Sequence, residues 1–422
     1  MKRKSIALLM AFVAALPVIA PAQPARANVA AFAPDRLTRI DRFMQQYVDS
    51  NRIGGAVGLV LRDGVVMYQH AVGWADKDAS RKMTNDALFR IASQTKALTS
   101  VAILSLVEQG KIATGDAVSR YIPAFAHTTV MLDSGNAIVP ARRPITIHDL
   151  LTHTAGISYG TDRKVAKLYS DQGLGNAAGY GWYTADKDEP ICESMERLAT
   201  LPFVAQPGSR FVYGYNLDIL GCVVERASGI PLDRFIREHI TAPLKMNDTY
   251  FFVPSEKKGR VVEVFASDSA QHAMRAPDGS RGQGSYVDGP RKSFAGGAGL
   301  ISTASDYARF LQMILNGGEL DGVRILAPKT VDLMTHDQIG NLYSDGTLGF
   351  GYGFEIVQKL GAKKQPSSVG TFGWGGAYGS VYQVDPVEHL VIVFMMNQVP
   401  NNTDIAAKFP TLVYSALLKK HE

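Results

Sequence analysis

The chain has 422 residues, 46% hydrophobic and 20% charged, with 44 Lys and Arg against 39 Asp and Glu and only two cysteines. That composition suits a folded chain with a large core and excludes a disordered polymer, a disulfide scaffold or a cysteine-ligated zinc module. Lys2, Arg3, Lys4 and Arg26 supply most of the formal +5 charge, so the remainder is nearly neutral and offers no case for a nucleic-acid or membrane-surface partner.

Residues 1–27 read as a secretory signal: a cationic start, an apolar run over 6–20 interrupted by Pro17, and Ala25-Arg26-Ala27 as a small-x-small cleavage site. The run falls short of the roughly 20 apolar residues of a spanning helix. The expectation is export to the periplasm or beyond, a mature chain from near Asn28, and no membrane span.

Segments 55–61 and 65–72 are β-rich and flank Arg62-Asp63-Gly64, a strong hairpin signal. Helical patterns follow over 96–109, 147–151, 217–227, 232–240 and 304–315. Glycine-rich or polar stretches near 171–181 and 278–299 read as long loops within one unit. Strands at 380–384 and 390–396 flank Asp385-Pro386, and 404–418 resembles a closing helix. The fold class expected is α/β (α+β), with a sheet built from both chain ends and a helical insert. The division is one domain over 28–422, its α/β part about 28–96 and 293–422 and its mainly helical part about 97–292. Cys222 lies in an apolar stretch; an oxidising compartment permits a bridge to Cys192, and a buried free thiol fits equally well.

Phe89-Arg90-Ile91-Ala92-Ser93-Gln94-Thr95-Lys96 precedes the apolar run 98–106. A serine in the first turn of a helix lies at the positive end of the helix dipole, and a lysine three residues on shares its face. A serine hydroxyl becomes a useful nucleophile when a neighbouring base takes its proton, and a lysine can be that base. Ser-x-x-Lys alone is weak, since an N-cap serine followed by a solvated lysine gives the same pattern. Further motifs strengthen it: His148-Asp149-Leu150-Leu151-Thr152-His153-Thr154-Ala155-Gly156, Pro207-Gly208-Ser209-Arg210-Phe211-Val212-Tyr213, and Gly297-Ala298-Gly299-Leu300-Ile301-Ser302-Thr303-Ala304.

In order and spacing these motifs resemble the serine β-lactamase-related family, which includes class C β-lactamases, D,D-peptidases and family VIII carboxylesterases, over about residues 40–415. The resemblance implies a β-lactamase/transpeptidase-like fold, Ser93 as nucleophile, and Lys96 with Tyr213 as its proton-handling partners. Tyr215 is the rival tyrosine: the penicillin-binding form is Tyr-x-Asn, and neither tyrosine has asparagine two residues on. Tyr213 is preferred for its spacing to Gly221, and Tyr215 suits a packed aromatic at a helix start. Where penicillin-recognising enzymes carry Lys-Thr-Gly or His-Thr-Gly, this chain has Trp374-Gly375-Gly376. That variant resembles the carboxylesterase branch and implies substrate binding at these three residues, with the backbone N–H groups of Ser93 and Ala377 as oxyanion hole.

Two patterns are set aside. Gly156-Ile157-Ser158-Tyr159-Gly160 matches Gly-x-Ser-x-Gly but lacks the preceding strand that a nucleophile elbow requires. His148 and His153 lack the His-Glu-x-x-His arrangement, so a bracing role is expected, with no metal and no cofactor in the reaction.

The function expected is hydrolysis of carboxylic esters, with short chains preferred, through an acyl-enzyme on Ser93, the partner being a small-molecule ester. The alternatives are a β-lactamase or D-amino-acid peptidase using the same residues, and a penicillin-binding sensor that acylates without turnover. A substrate carboxylate needs a cation and a hydroxyl where Trp374 and Gly375 stand, and a neutral ester does not.

Overall fold

A computed structural model describes residues 31–133, 137–174, 183–280 and 282–421. The expected leader and the part of the 171–181 stretch beyond residue 174 lie outside the described residues.

The main sheet has eight strands, β1 (Gly55–Arg62), β2 (Val65–Asp76), β3 (Arg81–Lys82), β4 (Leu348–Phe350), β5 (Glu355–Val357), β6 (Phe372–Gly375), β7 (Val381–Asp385) and β8 (Leu390–Met395). Their order is β4-β5-β6-β7-β8-β1-β2-β3, antiparallel throughout. The join between the two chain ends is β1 with β8, in register from Val57 opposite Met395 to Arg62 opposite Leu390. Asp63 (φ 52°) and Gly64 (φ 76°) form the two-residue loop between β1 and β2. Positive φ at both central positions matches the right-handed twist of the hairpin.

β1 and β8 are buried at every position, because both faces of the sheet are covered. Ala56, Val60, Ile392 and Phe394 face a core shared with the terminal helices, while Val57, Leu59, Val391 and Val393 face the main core. This is why these strands read as nearly continuous apolar runs.

The principal helices are α1 (Pro34–Asp49), α2 (Thr95–Glu108), α3 (Ile147–Leu151), α4 (Ile191–Ala199), α5 (Asn216–Ser228), α6 (Ala304–Leu315) and α7 (Ile405–Ala416). Helices α1 and α7 cover one sheet face through Ile40, Met44, Phe409 and Val413, and α6 packs against β8 and β1 on the other. α2 is buried from Thr95 to Leu106, enclosed by α5 and the sheet side, as expected of a helix without a polar face. The five-residue α3 is held by a capping box in which Thr146 and Asp149 exchange hydrogen bonds.

Some local expectations need correction. The segment expected as one helix over 232–240 is α-helical only over Leu232–Ile236 and continues as a π turn over Arg237–Thr241. The sequence reading began the sheet at residue 55 without α1, whose buried stripe of Ile40, Met44 and Tyr47 is narrow. Cys192 on α4 and Cys222 on α5 form a disulfide with Cα atoms 5.1 Å apart, because those two helices pack side by side. Among the described residues, no helix is long and apolar enough to cross a membrane.

Candidate active site

Ser93 is delivered by a short two-stranded ladder separate from the main sheet. Phe89–Arg90 pairs with Ile301–Ser302, and the chain then turns at Ala92, whose φ of 44° lies in the left-handed region. A non-glycine residue there stores strain, which occurs at functional turns. Ser93 sits in the 3₁₀ turn Ala92–Gln94 that runs into α2, just before the helix proper and not within its first α turn.

Lys96, one turn on, is almost fully buried, and its Nζ lies 3.2 Å from Ser93 Oγ. Nζ also donates to Tyr159 Oη at 2.9 Å and to the Gly297 carbonyl at 2.7 Å. Three donors thus meet three acceptors, which makes burial of the amine affordable. The Tyr213 ring adds a face 4.7 Å from Nζ.

The Gly297 peptide links Lys96 to Asp218 of α5: its carbonyl accepts from Lys96, and its N–H donates to Asp218 Oδ1 at 3.0 Å. Burial pushes the Asp218 carboxyl up to about 6, opposed by the Lys96 charge and the Gly297 N–H. A Cβ on residue 297 would fall 2.5 Å from Asp218 Oδ2, so glycine is required for this contact.

Tyr213 precedes α5, and its hydroxyl accepts from Trp374 Nε1 at 3.1 Å. Tyr215 is buried and donates to the Leu174 carbonyl at 2.9 Å, a packed aromatic at the start of α5. Tyr159, whose hydroxyl meets Lys96, was not among the expected site residues. It lies inside the Gly156–Gly160 pattern, where the sequence draws attention to Ser158. Ser158 is buried in irregular backbone and its Oγ accepts from the Gly160 N–H at 3.2 Å.

His153 is buried, with Nδ1 2.8 Å from the Asn216 amide nitrogen and its ring 4.7 Å from that of Tyr213. Burial, then the Lys96 charge, hold its pKa well below the usual range, so it is a neutral brace. Burial likewise lowers His148, which lies edge-on to Tyr352.

β6 brings Trp374 and Gly375 to the opposite wall. Gly376 follows so closely against the Ser93 turn that a Cβ there would fall 2.6 Å from the Ile91 carbonyl. Ser93, Tyr159, Tyr213, Trp374, Gly375, Gly376 and Ala377 all line one cavity of about 850 Å³, ample for a small ligand. Among the described lining residues the one cation is Lys363. Its Nζ is 2.6 Å from Glu355 Oε1, and Glu355 also accepts from Tyr343 at 2.5 Å. Arg210, Arg291 and Lys292 are engaged elsewhere: Arg210 with the Val204 carbonyl, Arg291 with that of Val287, and Lys292 with Asp188.

The Beta-lactamase family profile matches residues 40–414. Esterase EstB of Burkholderia gladioli is 33% identical over 375 residues, covering 85% of this chain and 90% of that protein. A protein of Escherichia coli O157:H7 with a provisional assignment as a D-alanyl-D-alanine carboxypeptidase is 29% identical, covering 95% of this chain and 91% of its own length. Among solved structures, EstCE1, described as a hydrolase with promiscuous acyltransferase activity, superimposes with a TM-score of 0.76 at 27% identity, over 91% of this chain and 99% of that one. The chain belongs to the Beta-lactamase family and has its serine-hydrolase fold.

Proposed function

We propose that the chain is an exported serine carboxylesterase, one catalytic domain over 28–422, that cleaves small, short-chain esters through an acyl-enzyme on Ser93. Ser93 Oγ attacks the ester carbonyl while Lys96 and Tyr213 handle the proton, which leaves with the alcohol. The backbone N–H groups of Ser93 and Ala377 receive the oxyanion. Trp374, Gly375 and Gly376 form the substrate wall. Water then attacks the acyl-enzyme by the same route in reverse. Tyr159, bonded to Lys96, orients the amine and belongs to the same proton-handling group.

The observation that carries the reading is the wall opposite Ser93: an indole bonded to Tyr213, with the one cation among the described lining residues already paired to Glu355. A β-lactam or peptide carboxylate would find no unpaired cation there, a loss of roughly 1.5–3 kcal/mol for a charge-assisted hydrogen bond. Likeness to EstB favours the same reading. The peptidase alternative is kept by the Escherichia coli relative. The test is one preparation assayed with p-nitrophenyl acetate and butyrate, a longer acyl ester, a cephalosporin and a D-Ala-D-Ala peptide. Highest kcat/KM on the short esters is expected. Efficient β-lactam or peptide turnover with negligible ester hydrolysis would overturn the ester assignment, and a burst without steady turnover would favour a sensor.

A further inference from the structure

At the other end of β7 from the cavity, two turns and the C-terminal segment bring Asp63, His389 and His421 together. Asp63 Oδ1 is 3.1 Å from His389 Nδ1 and 2.9 Å from His421 Nε2, and the two imidazoles stack with centroids 3.9 Å apart. One potential ligand atom from each residue lies within 4.8 Å of the other two.

The scaffold beneath this cluster is held by hydrogen bonds and an ion pair. Asp63 and His389 both sit at positive φ in neighbouring turns, and the Asp63 N–H donates to the His389 carbonyl at 3.1 Å. The His389 turn is braced by Asp385, whose Oδ1 accepts from the N–H groups of Val387 and Glu388. Glu388 forms a buried ion pair with Arg62 at 3.2 Å and accepts from the His421 N–H at 2.9 Å. Arg62 also donates to the Lys419 carbonyl. The three side chains remain open to solvent, with exposures of 31%, 49% and 26% for Asp63, His389 and His421.

We propose that Asp63, His389 and His421 form a binding site for a divalent transition-metal cation that clips the C-terminal segment to the β1–β2 and β7–β8 turns. Two imidazoles with one carboxylate are a donor set suited to zinc, nickel or copper and ill suited to magnesium or calcium. In a tetrahedral zinc site with bonds of about 2.1 Å, ligand atoms lie about 3.4 Å apart. The two carboxylate–imidazole separations, 3.1 and 2.9 Å, therefore need to open by only a few tenths of an ångström, and the two imidazole nitrogens already lie within 4.8 Å of each other. Each ring would ligate as neutral imidazole with its proton on the other nitrogen, and water would complete the coordination. The site's place at the far end of β7 makes it structural.

The test is calorimetric titration of zinc sulfate into the full, tag-free chain at neutral pH, paired with thermal unfolding. One saturable site per chain is expected, with zinc raising the unfolding midpoint. His389→Ala and His421→Ala should each weaken binding at least tenfold and abolish the midpoint shift. Should an alanine variant fail to fold, Asp63→Asn serves instead and should also bind at least tenfold more weakly. Absence of saturable zinc binding to the unmodified chain, or undiminished binding in the folded variants, overturns the proposal.

Discussion

The indole N–H of Trp374 donates to the hydroxyl of Tyr213 at 3.1 Å, and so helps to hold the Tyr213 ring 4.7 Å from Lys96 Nζ. The sheet side and the helical side of the cavity meet through this bond. Trp374→Phe keeps most of the ring and removes the donor. A net hydrogen bond is worth roughly 0.5–1.5 kcal/mol, so kcat/KM for a short ester should fall about 2- to 12-fold with little change in thermal midpoint. Steady-state kinetics on a p-nitrophenyl ester measure this.

Lys96, Tyr159 and Tyr213 should behave as one proton-handling group. Lys96→Ala is expected to lower kcat the most, while Tyr213→Phe and Tyr159→Phe should each lower it by about 10²- to 10⁴-fold, the usual range for acid–base groups. The double variant Lys96→Ala/Tyr213→Phe should be no slower than Lys96→Ala alone, since parts of one unit are not additive. Additive losses in ln kcat would show separate roles, and full activity in Tyr213→Phe would remove it from the mechanism.

Asp218 gives a stability change with a defined sign. Its folded value of about 6 lies above the ordinary 3.8, so the folded state binds its proton more tightly than the unfolded chain does. The resulting stabilisation is full below about pH 4 and is lost as pH rises through about 6, amounting to about 3 kcal/mol at most. Asp306 shifts the same way, also to about 6 through burial, so the comparison must be between the unmodified chain and Asp218→Asn. Urea unfolding at pH 4, 5, 6 and 7 should show a shallower decline in the variant; equal slopes would mean that Asp218 ionises normally.

The Cys192–Cys222 bridge closes a loop with a sequence separation of 30. Chain-entropy arguments give about 3–4 kcal/mol of stabilisation for a loop of that size. Cys192→Ser/Cys222→Ser should unfold at correspondingly lower urea with a somewhat steeper slope, because the unbridged unfolded chain is more expanded, and dithiothreitol should destabilise the unmodified chain alone.

Much of this was legible where chemistry follows local spacing. Ser93 and Lys96 sit three apart at a helix start, and Trp374-Gly375-Gly376 sits on a strand before a turn, so their proximity to one cavity follows once the family order of motifs is recognised. Asp63-Gly64 announced its hairpin because two positive-φ positions demand such residues. Tyr159 escaped because its role depends on Lys96, 63 positions away, and a Gly-x-Ser-x-Gly decoy surrounds it. Gly297 stands in a quoted motif without a role and Asp218 in none, since their link to Lys96 exists only after α5 packs against α2. The disulfide was undecided for the same reason: nothing local says that α4 and α5 lie side by side. The π turn after Ile236 has no periodic signature separate from a helix.

The central claim is that Ser93 carries the acyl group. Treating the purified chain with a p-nitrophenyl phosphonate, digesting it and sequencing the modified peptide by mass spectrometry tests it directly. The account predicts a single stoichiometric adduct on Ser93, formed in step with loss of ester hydrolysis and absent from Ser93→Ala. An adduct on Ser158, or unimpaired hydrolysis by Ser93→Ala, would contradict it.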